Sequence, residues 1–130
     1  MKEVLDFLKM CGVYYLATVD EDGHAKVRPF GTINIFGGKL YIQTGKKKDV
    51  SRQMKKNPYI EICAFKDGKW LRLSGKAVLD ERIEDQIDML DHYPELKGMY
   101  KAGDGNNEVF YLEDPHAVLY SFGEGNKTLL

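Results

Sequence analysis

Residues 40–49 read LYIQTGKKKD, and they constrain the fold more than any other segment. Strand composition comes first, three lysines follow, and residues 49–57 have helix composition up to Pro58. This order of strand, lysines and helix start places ammonium groups and backbone N–H donors close together. A phosphate group binds at sites of this kind. Arg28, in the segment VRPF at 27–30, can add a bidentate guanidinium from a neighbouring strand. These segments predict a pocket for a phosphorylated small molecule; the alternative is a solvated lysine turn.

Composition limits the remaining possibilities. The 130 residues are 43% apolar and 30% charged, which predicts one globular domain spanning residues 1–130. The net charge of -1 argues against nucleic acid as a general partner. Residues 1–10 form an amphipathic helix pattern and not a signal peptide or membrane span, so we expect no membrane partner. Cys11 and Cys63 show no zinc or disulfide spacing, and we predict reduced core thiols in a cytoplasmic protein.

The rest of the chain alternates strand patterns with tight turns. A helix with Ile83, Ile87 and Leu90 on one side is predicted at 82–92, and a short helix at 94–100. Strands are predicted at 13–19, 24–30, 31–36, 39–44, 59–65, 70–79, 109–112 and 117–122. Strands at this spacing cannot form repeated βαβ units, so the pattern indicates an antiparallel sheet closed into a barrel.

This order of segments resembles the pyridoxamine 5′-phosphate oxidase-like family, the FMN-binding split barrels. The resemblance covers nearly the whole chain and depends on several motifs in order. They are the hairpin at 17–25, Arg28-Pro29, the strand 40–44 with Lys47-Lys48, the helix ending at Asn57-Pro58, and Gly75-Lys76-Ala77. The resemblance implies a mainly β (α+β) fold, an antiparallel split β-barrel of about six to eight strands with a few flanking helices.

The resemblance also implies roles for individual residues. Arg28, with its neighbour Pro29, is similar to the strand motif that meets the flavin phosphate in this family. Lys47 and Lys48 resemble the basic pair beside that phosphate at the helix start.

Three further residues have implied positions at the flavin ring. Gln43 and Thr44 lie where the family strand borders the isoalloxazine, and their polar groups could bind its pyrimidine edge. Trp70 falls where members often supply a residue from the second subunit, because the family builds its flavin site at a dimer interface. An ordinary buried aromatic is the alternative for Trp70.

The sequence departs from the oxidase proper at two places. Ile33 stands in the region where the oxidase has a lysine after its strand arginine. The C-terminal Trp and Arg/His substrate motifs are missing from residues 120–130. These departures argue against oxidation of pyridoxine phosphate but not against FMN binding. The chain looks more like the short branch that includes the nitroimidazole-resistance-type proteins.

The function expected from these features is an FMN-dependent oxidoreductase acting as a homodimer. It would pass electrons from a reduced nicotinamide to a small acceptor, a nitro compound or a quinone. His24, His92 and His116 show no metal spacing, and no metal is expected. Three alternatives remain: a non-catalytic flavin binder, a haem-handling protein of the same fold, and a barrel binding nucleic acid through residues 46–56. In the last case Tyr14, Tyr15 and Tyr41 would stack on bases.

Overall fold

The computed structural model describes residues 1–130 and contains one antiparallel sheet with helices around it. The α-helices are α1 (Lys2–Cys11), α2 (Asp49–Lys56) and α3 (Ile83–His92), and a 3-10 helix follows at Pro94–Gly98. The strands are β1 (Tyr14–Val19), β2 (Ala25–Phe30), β3 (Asn34–Phe36), β4 (Lys39–Gly45), β5 (Tyr59–Lys66), β6 (Lys69–Asp80), β7 (Asn107–Ser121) and β8 (Lys127–Thr128). The predicted mainly β, antiparallel fold of six to eight strands is confirmed.

The strand order explains why the barrel is split. It runs β2-β1-β5-β6-β7-β4-β3, with β8 on β7, so the unpaired edges belong to β2 and β3. These two strands are consecutive in the chain, and residues 31–33 join them. Hydrogen bonds at Thr32 hold this link in place. The Thr32 hydroxyl accepts a hydrogen bond from the backbone amide of Gln43 at 3.0 Å. The Tyr14 hydroxyl donates to the Thr32 carbonyl at 2.5 Å. The opening of the barrel therefore lies beside the link between β2 and β3.

The helices close the hydrophobic core on the remaining sides. Val4 and Leu8 of α1 are almost completely buried, as the amphipathic pattern of residues 1–10 predicts. Val50 and Met54 bring α2 into the same cluster of 18 buried residues. Because α2 packs on the core through one face, its first turn is held at a fixed place next to the end of β4.

The C-terminal strands differ from the prediction. Residues 109–112 and 117–122 belong to one strand, β7, and the short β8 pairs with it. Pairing with β6 passes from Ser74–His116 to Lys76–Glu113, so two residues of β7 oppose Gly75 alone. This is a β-bulge, where Asp114 has φ 50° and Pro115 needs no amide partner. Asp114-Pro115 therefore bends the strand without ending it.

The burial of several side chains differs from the prediction. Ile83 and Ile87 of α3 are exposed, and only Leu90 of the predicted apolar face is buried. Cys63 is exposed, so the prediction of a core thiol was wrong there, while Cys11 is half-buried and packs against the core. Tyr14 and Tyr41 lie in the core, which leaves neither ring free to stack on nucleic-acid bases. No helix has the length and apolar character needed to cross a membrane.

Helix α3 contains a buried carboxyl group beside its buried apolar residues Met89 and Leu90. Asp85 is 2% exposed and lies beside Asp80, and Arg82 pairs with both at 3.0 Å and 3.1 Å. Burial raises the pKa of Asp85, and the neighbouring Asp80 raises it further. Burial also acts to raise the pKa of Asp80, but hydrogen bonds from Arg82, Asp85 and Tyr41 hold it well below its usual range. The two carboxyls therefore titrate as a coupled pair, with Asp80 the more acidic of the two.

We expect Arg82→Ala to destabilise the fold near neutral pH, because it leaves the carboxyl groups of Asp80 and Asp85 without their cation. The lowered pKa of Asp80 stabilises the fold at neutral pH, and this contribution is lost on acidification through that pKa. The raised pKa of Asp85 acts oppositely, and its contribution is lost as pH rises.

The loss caused by Arg82→Ala should therefore shrink toward about pH 4, where both carboxyls of the variant can be protonated. Urea unfolding at several pH values measures it. Arg52→Ala, which removes an exposed pair with Asp49, is the control and should cost less than about 1 kcal/mol. A pH-independent loss at Arg82 would contradict the coupling of Arg82 to the charges of Asp80 and Asp85.

Candidate functional site

A cavity of about 250 Å³ lies at the opening of the barrel, and we name it the inner cavity. Its walls come from the link between β2 and β3, from the end of β4, and from the segment around the 3-10 helix. The lining residues are Pro29, Phe30, Gly31, Thr32, Gln43, Thr44, Lys48, Tyr93, Glu95, Leu96, Met99 and Tyr100. Pro29, Gln43, Thr44 and Lys48 were all predicted from the sequence as cofactor-binding residues. The wall formed by residues 93–100 was not.

A second, more open cavity of about 570 Å³ adjoins the first, and we name it the basic cavity. It lies between β2 and the first turn of α2. Its lining residues are Lys26, Val27, Arg28, Lys47, Lys48, Asp49, Val50 and Gln53. Lys48 borders both cavities. The structure thus brings Arg28, Lys47 and Lys48 together, although β2 and α2 are about twenty residues apart in sequence.

Arg28 is held in place by neighbours on β1 and α2. One terminal nitrogen donates to Thr18 Oγ1 at 2.7 Å and to the Leu16 carbonyl at 3.2 Å. The other donates to Gln53 Oε1 at 2.7 Å, and Thr18 donates to the same Gln53 oxygen at 2.6 Å. Burial lowers the pKa of Arg28, and Asp49 acts in the opposite direction. A guanidinium ordinarily stays charged well above neutral pH, so Arg28 is a preorganised cation.

The backbone near the lysines is less available than the sequence suggests. The amides of Lys46 and Lys47 donate to the main chain and side chain of Asn106, at 2.7 Å and 3.2 Å. The amide of Lys48 donates to the Gly45 carbonyl at 3.0 Å. An anion in the basic cavity would therefore be bound mainly by side-chain cations. The Asp49 carboxylate also borders this cavity and is paired with Arg52 at 2.8 Å.

Gln43 and Thr44 differ in what they can offer a ligand. The Gln43 side-chain amide already donates to Asn107 Oδ1 at 2.9 Å and to the Thr44 carbonyl at 3.2 Å. Thr44 is 2% exposed, and its hydroxyl has no hydrogen-bond partner. A buried hydroxyl without a hydrogen-bond partner destabilises the fold unless a ligand supplies that partner. Thr44 is thus the more available of the two toward a molecule in the inner cavity.

Trp70 lies outside both cavities of its own chain. Its ring stacks on Tyr120 with centroids 5.3 Å apart and contacts Phe122 at 4.8 Å. It is half-buried and belongs to an aromatic patch on the outer face of the sheet. A role for Trp70 at the site would require a second copy of the chain.

The turn between β1 and β2 brings Asp20, Asp22 and His24 together, with ligand atoms within 4.8 Å of one another. Histidine spacing could not reveal this group, since two of its members are acids. The turn itself explains it, because Asp20 Oδ1 accepts the amides of Asp22 and His24 at 2.9 Å. It lies on the surface and contributes nothing to either cavity.

A sequence profile described as pyridoxamine 5′-phosphate oxidase matches residues 1–113. The chain belongs to the pyridoxamine 5′-phosphate oxidase family. A NimC/NimA family protein from Clostridium acetobutylicum is 42% identical, with a TM-score of 0.92 over 98% of this chain and 91% of that chain. The resemblance deduced from the sequence, including its branch, is confirmed.

Two more distant structures share the fold. General stress protein 26 from Bacillus anthracis is 15% identical, with a TM-score of 0.74 over 98% of this chain and 97% of that chain. A pyridoxamine 5′-phosphate oxidase-related, FMN binding protein from Nostoc punctiforme is 13% identical, with a TM-score of 0.65 over 99% and 96%. No curated protein matches the chain.

The residues present fit FMN, the cofactor that membership of this family suggests. The basic cavity supplies the charge that a phosphate dianion needs, through Arg28, Lys47 and Lys48. The inner cavity offers apolar walls for a flat ring and an unpartnered hydroxyl on Thr44 for its polar edge. Lys48 borders both spaces, so one ligand could extend from the first into the second.

Proposed function

We propose that this protein binds FMN and passes electrons from a reduced nicotinamide to a small, flat acceptor such as a nitro compound or a quinone. The observation that carries the proposal is the junction of the basic and inner cavities at Lys48. A phosphate and a planar ring are thereby accommodated side by side. FMN, when bound, supplies the redox chemistry, accepting hydride and releasing electrons singly or in pairs.

The residues of the chain have binding and positioning roles in this proposal. Arg28, Lys47 and Lys48 neutralise the phosphate, and Thr18 with Gln53 fixes the direction of the Arg28 fork. The Thr44 hydroxyl forms a hydrogen bond with the polar edge of the flavin ring. Phe30, Leu96 and Met99 exclude water from one side of the inner cavity.

The first experiment identifies the cofactor. Protein purified without added flavin is denatured, and the released small molecule is analysed by mass spectrometry. We expect the mass of FMN and a yellow protein before denaturation. Oxidation of a reduced nicotinamide that accelerates with menadione or a nitroimidazole then supports the enzyme. Flavin without turnover would instead favour the non-catalytic binder, and a Soret band the haem-handling alternative.

We further propose that the protein is a homodimer with the cofactor at the interface. The outer sheet face exposes Tyr15, Phe65 and Phe122 by 53%, 61% and 79%, and Trp70 lies between them on β6. Tyr15 pairs with Pro29 across β1 and β2, so this aromatic face reaches the wall of the inner cavity. A second copy covering the face would remove apolar area from water and complete the site.

We expect light scattering to give twice the chain mass of 14.9 kDa at micromolar concentration. Phe65→Glu should yield a monomer that binds flavin poorly, because the change places a charge in the covered face. Ile87→Glu alters an exposed apolar residue on α3, outside the aromatic face, and should remain dimeric. A wild-type monomer that retains flavin would contradict the proposal.

A further inference from the structure

Two tyrosines border the inner cavity, and their hydroxyl groups are in opposite situations. The Tyr93 hydroxyl donates to the Ile33 carbonyl at 2.8 Å and accepts the Ile33 amide at 3.0 Å. Tyr93 is half-buried and Tyr100 is 7% exposed, but the Tyr100 hydroxyl forms no hydrogen bond within the protein. Buried phenol groups usually have a partner. Tyr93 thus ties the cavity wall to the sheet, while the Tyr100 hydroxyl is free to bond a ligand in the cavity that the residue lines.

The position of the Tyr100 hydroxyl is fixed by Gly45 at the end of β4. A Cβ atom at Gly45 would lie 2.8 Å from Tyr100 Oη and 3.1 Å from a ring carbon. Gly45 does not have a positive φ, so its backbone would accept alanine. The close approach of Tyr100 is therefore what requires glycine here. Lys46 follows directly, so the hydroxyl rests against the strand that leads into the basic cavity.

We propose that Tyr100 is a further ligand-binding residue, whose hydroxyl donates a hydrogen bond to the molecule in the inner cavity. The assignment rests on the proposed FMN site and extends it to the chain after α3. Three groups of the cavity can donate to a ligand: the hydroxyls of Thr44 and Tyr100 and the ammonium of Lys48, while Glu95 on the same wall can only accept. The ligand edge that faces the three donors carries acceptors, as the carbonyl groups of a flavin pyrimidine ring do.

The same contact would couple cofactor binding to the loop that follows. Residues 101–106 continue from Tyr100, and Asn106 at their end holds the amides of Lys46 and Lys47. A ligand that bonds the Tyr100 hydroxyl therefore acts at the first end of this loop. Residues 93–100 form the second wall of the inner cavity, opposite the strand residues that the sequence motifs identify.

The test compares Tyr100→Phe with Tyr93→Phe in flavin titrations followed by fluorescence. Tyr100→Phe should raise the Kd for FMN and for riboflavin equally, by about 5- to 10-fold, since the lost bond is to the ring. The Tm of its flavin-free form should not fall, because no internal bond is lost. Tyr93→Phe should lower that Tm and change the Kd less. Tyr100→Phe should also shift the visible absorption band of bound flavin.

A second variant keeps the assignment testable if the effect is small. Gly45→Ala should weaken flavin binding in the wild type and weaken it less in the Tyr100→Phe background, because the hydroxyl that it displaces is then absent. An unchanged Kd and spectrum in Tyr100→Phe, with a wild type that binds flavin, would overturn the Tyr100 assignment alone. A wild type that binds neither flavin would overturn the proposed function and this assignment together.

Discussion

Alanine at Arg28 or at Lys48 is expected to weaken FMN binding by about ten- to hundredfold while affecting riboflavin much less. Each residue lines the basic cavity, and riboflavin lacks the phosphate that we place there. One charge-assisted contact contributes roughly 1.5–3 kcal/mol, which corresponds to that loss of affinity. The ratio of the two Kd values, measured by fluorescence titration for each variant, isolates the phosphate contribution.

Arg28 needs an additional variant because it also has a structural role. Removing it deprives Leu16, Thr18 and Gln53 of a donor. Arg28→Lys keeps the charge but loses the fork, so it should restore part of the FMN preference. Lys2→Ala removes an exposed lysine paired with Asp6 on α1 and should change neither ligand. Equal losses for FMN and riboflavin would mean that Arg28 and Lys48 act on the fold and not on the phosphate.

The sequence predicted those parts of the molecule that depend on local pattern. Strand alternation and turn glycines identified β1, β2, β4, β5 and β6 to within one residue at each end, and the amphipathic pattern placed α1. The third strand begins three residues later than predicted, at Asn34. The order of the motifs also identified Arg28 on β2 and Lys48 directly before α2, and both residues line the basic cavity. What failed locally was Asp114-Pro115, which has turn composition but forms a bulge inside β7.

Contacts between distant segments could not be read in the same way. Asp85 has the composition of an exposed helix residue, and only its meeting with Arg82 and Tyr41 makes burial possible. Tyr100 follows a region with no motif, and its importance appears only where it touches Gly45. Gln53 is an ordinary helix residue in the sequence, but it is what orients Arg28. Side-chain pairs of this kind depend on tertiary packing that no periodicity encodes.

The largest functional effect is expected for pyridoxine 5′-phosphate, which the protein should turn over about a hundredfold less efficiently than menadione or a nitroimidazole. That substrate has its own phosphate and needs cations near the ring of the cofactor. Position 33 cannot provide a cation, because Ile33 is an uncharged residue of the core and is 1% exposed. The wall of the inner cavity instead contains Glu95, which forms no ion pair. The phosphate of this substrate would therefore lack a cationic partner and would be repelled by Glu95. One missing charged contact costs about 1.5–3 kcal/mol of binding free energy.

The measurement compares kcat/KM for pyridoxal 5′-phosphate formation with that for acceptor reduction by a reduced nicotinamide, on the same flavin-loaded protein. Glu95→Gln removes the repulsion and should improve pyridoxine 5′-phosphate several-fold while leaving menadione nearly unchanged, since a neutral quinone does not sense the charge. Glu81→Gln, an exposed acid outside the inner cavity, should alter neither. Efficient pyridoxal 5′-phosphate formation by the wild type would contradict the expected selectivity. It would require a cationic clamp from a second copy of the chain, because the only cation lining the inner cavity of one chain is Lys48, which we assign to the flavin phosphate.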